Sequence, residues 1–193
     1  MRRKGLWFAL AVALQVVILL TLVGRHSYTL ATGTEVLLKS EPIDPWSPLK
    51  GQYVRLRYNI STFPLSLAAG EEPPYQRGDV VWVILQKYNP DGDPYWSATA
   101  VGKERSRPGP GQVAVQARVD WVQWWGDPSQ NPPTGFKSQV NLLYGIEEFY
   151  VPEGEGPGLE ANRGGITVKA KADRFGRMAL SQVLVNGEPV EWK

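Results

Sequence analysis

The chain has 193 residues, of which 42% are hydrophobic, and this suits one domain with an appendage rather than two domains or a disordered polymer. It contains no cysteine, which excludes disulfides, thiolate nucleophiles, cysteine-bearing zinc sites and a lipid-modified N-terminal cysteine. Four of its 21 basic residues, Arg2, Arg3, Lys4 and Arg25, precede the first acid, Glu35, so the remainder carries 17 basic against 19 acidic side chains; the pI of 8.8 comes from the N-terminus and gives no ground for nucleic-acid binding.

Residues 6–23 form an apolar run broken only by Gln15 and Thr21. As a helix rising 1.5 Å per residue, 18 residues reach about 27 Å, close to the roughly 30 Å of a bilayer core. Trp7 suits the interfacial belt, and the basic cluster before the run predicts an N-terminus inside and the rest outside. A cleaved signal peptide is the rival reading, but its apolar region would be shorter and 29–31 is a poor cleavage site. The expected organisation is an anchor over 1–26, a linker over 27–33 and an extracytoplasmic domain over 34–193. The location that follows is the cytoplasmic (inner) membrane, crossed once.

Beyond the anchor, sixteen prolines and twenty glycines argue for many turns and against long helices. Residues 34–39 read as a first strand. Pro42, Pro45 and Pro48 then punctuate an approach to Gly51, from which a strand runs to about Ile60. Alternation places Gln52, Val54, Leu56 and Tyr58 on a core face, and Tyr53, Arg55 and Arg57 on the other. Residues 64–77 read as a loop. The run 80–87 is apolar on both faces, as in a central strand, and the turn at 89–94 sends the chain back through 95–101. In the next strand Val113, Val115, Ala117, Val119 and Trp121 share a face. Val140, Leu142 and Tyr144 share another. Strands at 166–171 and 178–185 follow, and Asn186-Gly187 signals a type I′ hairpin into 189–192. About eight short strands joined by turn residues predict an all-β antiparallel domain, either barrel or sandwich.

Catalytic chemistry is poorly provided for. The single histidine, His26, lies beside the apolar run, so a Ser-His-Asp arrangement is unavailable to the domain. The acids Glu147, Glu148, Glu153, Glu155 and Glu160 form the one concentrated acidic stretch, around Gly154 and Gly156. Their spacing is that of no EF-hand loop, and they read as solvated loop carboxylates, metal or partner contacts, or a carboxylate pair for hydrolysis. Arg55 and Arg57 read either as exposed strand positions or as a surface for an acidic partner. Trp121, Trp124 and Trp125 read as packing or as a glycan or peptide platform. No cofactor is expected.

The stretch Gly51-Gln52-Tyr53-Val54-Arg55-Leu56-Arg57-Tyr58 resembles the GDYXXLXY protein family, matching at Gly51, Tyr53, Leu56 and Tyr58 and departing at Gln52, where the family has Asp. The lead-in Glu41-Pro42-Ile43-Asp44-Pro45 and the later Tyr144-Gly145-Ile146-Glu147-Glu148-Phe149-Tyr150-Val151-Pro152-Glu153-Gly154-Glu155-Gly156 are similar to the family's other signatures. The resemblance implies a single-pass, membrane-anchored bacterial protein, often associated with a multi-spanning membrane protein, and supplies no catalytic residues. The function expected is therefore an accessory or interaction subunit of a membrane protein complex. An envelope module for glycan, peptide or calcium is the alternative, and a carboxylate-dependent hydrolase ranks below both.

Overall fold

The computed structural model describes residues 2–43, 53–65, 75–87, 92–125, 137–150 and 165–190. Helix α1 runs over Arg2–Thr32. Every side chain described from residue 7 to residue 27 is exposed, so the apolar run is not buried by any described part of the domain. By length and composition α1 is able to cross a membrane. The segment 27–33, expected as a linker, is helical to Thr32. Nothing between Gly24 and Gly33 breaks a helix, and Thr29 and Thr32 return hydroxyl bonds to the carbonyls of Arg25 and Tyr28. The end of the apolar run is thus not the end of the helix. The helix stops at Gly33, whose N–H donates to the Thr29 carbonyl.

Eleven strands follow among the described residues: β1 (Thr34–Ile43), β2 (Tyr53–Tyr58), β3 (Thr62–Leu65), β4 (Val80–Lys87), β5 (Trp96–Gly102), β6 (Gln112–Trp125), β7 (Lys137–Leu143), β8 (Glu148–Tyr150), β9 (Ile166–Ala172), β10 (Met178–Val185) and β11 (Glu188–Pro189). They form two antiparallel sheets, ordered β11-β10-β9-β1-β2-β8 and β3-β7-β6-β4-β5. The sheets enclose one core in which Val36, Leu38, Ile60, Val81, Val83, Leu85, Val115, Val140 and Val168 have no solvent exposure. These residues alternate with more exposed ones along most of their strands, as a sheet with one buried face requires. The sheets are also linked where Asn59 Nδ2 donates to the Trp96 carbonyl at 2.7 Å and where the Tyr95 and Thr167 hydroxyls lie 3.2 Å apart. A further link runs from the Gln116 N–H to the Gly176 carbonyl at 2.7 Å. The domain is all-β and antiparallel, as expected.

Three local readings differ from expectation. Pairing between β6 and β7 shifts register between Val119 and Trp121, so the alternation that buries Val115, Ala117 and Val119 leaves Trp121 37% exposed. Residues 62–65, partly read as loop, pair with β7 as an edge strand, and Pro64 is tolerated there because an edge strand leaves some N–H positions unused. Residues 148–150, read within an irregular stretch, pair with β2. The Asn186-Gly187 turn is present, with φ of 53° and 86° at its two residues.

Candidate functional site

The two sequence signatures form one structural unit. On β2, Leu56 and Tyr58 are buried, as their alternation predicts. The Leu56 N–H donates to the Glu147 carbonyl at 2.7 Å, and the Tyr58 hydroxyl donates to the Ile146 carbonyl. From the other side, the Tyr144 hydroxyl donates to the Ile60 carbonyl at 2.7 Å. Two buried phenols therefore cross between the segment 144–147 and the strand–turn unit 56–60. Burial first, and the nearby Glu147 charge second, push both hydroxyls far above the ordinary tyrosine range, so they act as neutral donors.

The segment 144–147 is held by its own acid. Glu147 is only 8% exposed, and its carboxylate accepts from the Tyr144 N–H and, at 2.8 Å, from the Gly145 N–H. Gly145 has φ of +80°, a conformation that a residue with Cβ adopts at a cost. The glycine and the glutamate of this signature thus make a turn rather than a reactive group. Beyond it, β8 pairs with β2 in the register Tyr53↔Tyr150, Val54↔Phe149 and Arg55↔Glu148. Arg57 is half-buried and braces three strands, donating to Thr62 Oγ1 at 2.8 Å and Asn141 Oδ1 at 2.7 Å. Its partners are two neutral side chains, and it is not the fully exposed strand position that the sequence suggested.

The structure thus brings Tyr53, Arg55, Leu56, Arg57, Tyr58, Glu147 and Glu148 onto one part of the sheet. Asp44, Gly51, Gln52, Glu153, Gly154, Glu155, Gly156 and Glu160 lie outside the described residues, as do the side chains of Tyr53, Arg55, Trp124 and Trp125. Among the described residues no three His, Asp or Glu side chains converge as a metal-binding set.

A second construction, at the helix end, was missed by sequence reasoning. Asp173 is 4% exposed and lies in the turn between β9 and β10. One of its oxygens accepts from the Thr29 hydroxyl at 2.7 Å and from Arg177 Nε at 2.9 Å, with an Arg177 terminal nitrogen at 2.8 Å. The other accepts from the Phe175 and Arg177 backbone N–H groups. Burial pushes this carboxyl upward, but the bonds from Thr29, Arg177 and Phe175 outweigh it and leave it below the ordinary aspartate value. Around this clamp, Tyr28 and Phe175 have ring centroids 6.0 Å apart, with the Arg174 guanidinium over both. The sequence signal was Asp173-Arg174-Phe175-Gly176-Arg177, a turn whose Asp is placed to accept from following amides.

Between helix and domain lies a cleft of about 700 Å³. Leu22, Arg25 and His26 line it from the helix, Arg118 from β6, and Glu147 and Glu148 from the second signature. The signature unit and the helix clamp therefore face one cavity. The GDYXXLXY protein family matches residues 15–183, a span that includes the C-terminal half of the helix, both signatures and the clamp. The chain belongs to the GDYXXLXY protein family. No curated protein and no solved structure matches the chain. In this GDYXXLXY chain, the Leu and the final Tyr of the name-giving motif are core and cross-strand bonding positions, so that half of the motif specifies architecture.

Proposed function

We propose that this GDYXXLXY protein is an accessory or interaction subunit of a membrane protein complex. In this reading α1 is an uncleaved single-pass anchor in the cytoplasmic membrane, with its basic N-terminus inside and the β domain outside. The observation that carries the reading is the buried Thr29–Asp173 bond, which fastens the helix directly to the domain. A domain fastened in this way sits at the membrane surface at a fixed height, where it is able to meet the outer loops of a multi-spanning partner. Among the described residues nothing buries the apolar surface of α1, which leaves it to face lipid or a partner's helices. Removal of the helix by cleavage near Ala31 would take Thr29 away and leave a buried carboxylate short of one donor, which argues for retention. The test is purification of the full chain from native membranes in mild detergent after crosslinking. The expected result is a reproducible crosslinked membrane partner. Recovery as a monomer alone, across several detergents, would refute the proposal.

A further inference from the structure

The geometry points to a headgroup site for an anionic phospholipid in the cleft between α1 and the β domain, taken from the leaflet through which the helix leaves the membrane. The inference rests on the reading of α1 as a retained anchor. The cleft's height is the first argument. Arg25 and His26 lie two and three residues beyond Val23, the last residue of the apolar run, or about 3 and 4.5 Å along a helix. That places them in the headgroup layer, which extends roughly 5–7 Å beyond each face of the hydrocarbon core.

Charge is the second argument. Of the cleft's ionic groups, Arg177 is bound to Asp173 through two nitrogens, and both oxygens of Glu147 accept backbone N–H groups. The ion pairs among the described residues are Arg77–Asp120, Lys103–Asp79, Lys171–Glu35 and Arg177–Asp173, so Arg25 and Arg118 belong to none of them. Two guanidiniums outside any ion pair and the His26 imidazole then face the cavity, with the exposed Glu148 and the amide-bonded Glu147 also lining it. The two unpaired guanidiniums suit one phosphodiester, which such groups bind by paired charge-assisted hydrogen bonds. Polarity is the third argument. Leu22 and Val80, 59% and 53% exposed, line the same cleft, so an apolar surface adjoins the two guanidiniums. A soluble phosphate makes no use of that surface, whereas the glycerol and acyl ends of a lipid cover it.

The test uses the full-length chain. It is mixed with vesicles of phosphatidylcholine, with and without phosphatidylglycerol, and floated on a density gradient. In detergent, its unfolding midpoint and lipid adducts in native mass spectrometry are read with phosphatidylglycerol, phosphatidylcholine or inorganic phosphate. The chain is expected to float with both vesicle types. Phosphatidylglycerol is expected to give a one-to-one adduct and a raised midpoint that the other two additives do not match. Arg25→Gln combined with Arg118→Gln should weaken that adduct about tenfold or more. Arg107→Gln, exposed and outside the cleft, should leave it unchanged. Arg118→Gln alone serves as the readout if the double variant is unfolded without lipid. Equal retention of the two lipids, indifference to the arginine substitutions, or an equal effect of inorganic phosphate would overturn the headgroup site while leaving the anchor intact. Failure to float with either vesicle would overturn the anchor, and the lipid site with it.

Discussion

Thr29 and Asp173 are 144 positions apart in the chain and meet through a buried hydrogen bond of 2.7 Å. Thr29→Val keeps the shape and deletes one donor, so it should lower stability by about 1–2 kcal/mol in denaturant unfolding. Asp173→Ala should lower it by about 3 kcal/mol or more, because it leaves the Arg177 guanidinium without its buried partner. The Asp173 carboxyl also sets a pH dependence. Its folded value lies below its unfolded one, near 4, so its contribution is complete above that unfolded value and is lost as pH falls through the folded one. Unfolding midpoints measured from neutral pH into the acid range should therefore fall, and the fall should be shallower in Asp173→Asn. A parent and variant with parallel acid profiles would contradict this assignment.

The clip between β2 and the turn before β8 makes its own prediction. Tyr58→Phe removes only the hydroxyl that reaches the Ile146 carbonyl, and should cost about 1–2 kcal/mol with the β signature in circular dichroism unchanged. Gly176, between β9 and β10, has φ of +84°, and a Cβ there would run into the Trp82 ring. Gly176→Ala should therefore destabilise by about 1–3 kcal/mol, more than a turn substitution in open space, as thermal unfolding would record. These elements also mark what was legible beforehand. The burial of Leu56, Tyr58, Val140, Leu142 and Tyr144 followed from period-two alternation. The exposure of Trp121 did not, because one bulge reverses the alternation and leaves no unambiguous residue signature. The role of Glu147 was hidden for a related reason: as one acid among several it looked like a solvated charge, and only the fold places two N–H groups against it.

At the scale of the whole molecule, the apolar helix, the all-β domain and the family were legible from hydropathy, turn residues and two spaced signatures. The junction was not, because Thr29 and Asp173 are ordinary polar residues until the turn between β9 and β10 is brought to the helix. That junction converts an apolar helix and a domain, expected to be joined by a linker, into one body. The absence of cysteine makes it directly measurable, since introduced thiols are the only ones to label. Spin labels at Val17→Cys and Ser181→Cys, both exposed and on opposite sides of the junction, report its rigidity by pulsed electron resonance in bilayers. A docked helix predicts one narrow distance distribution, which broadens when Asp173→Ala is added. A broad distribution in the parent, unchanged by that substitution, would show a domain on a flexible tether and contradict the account.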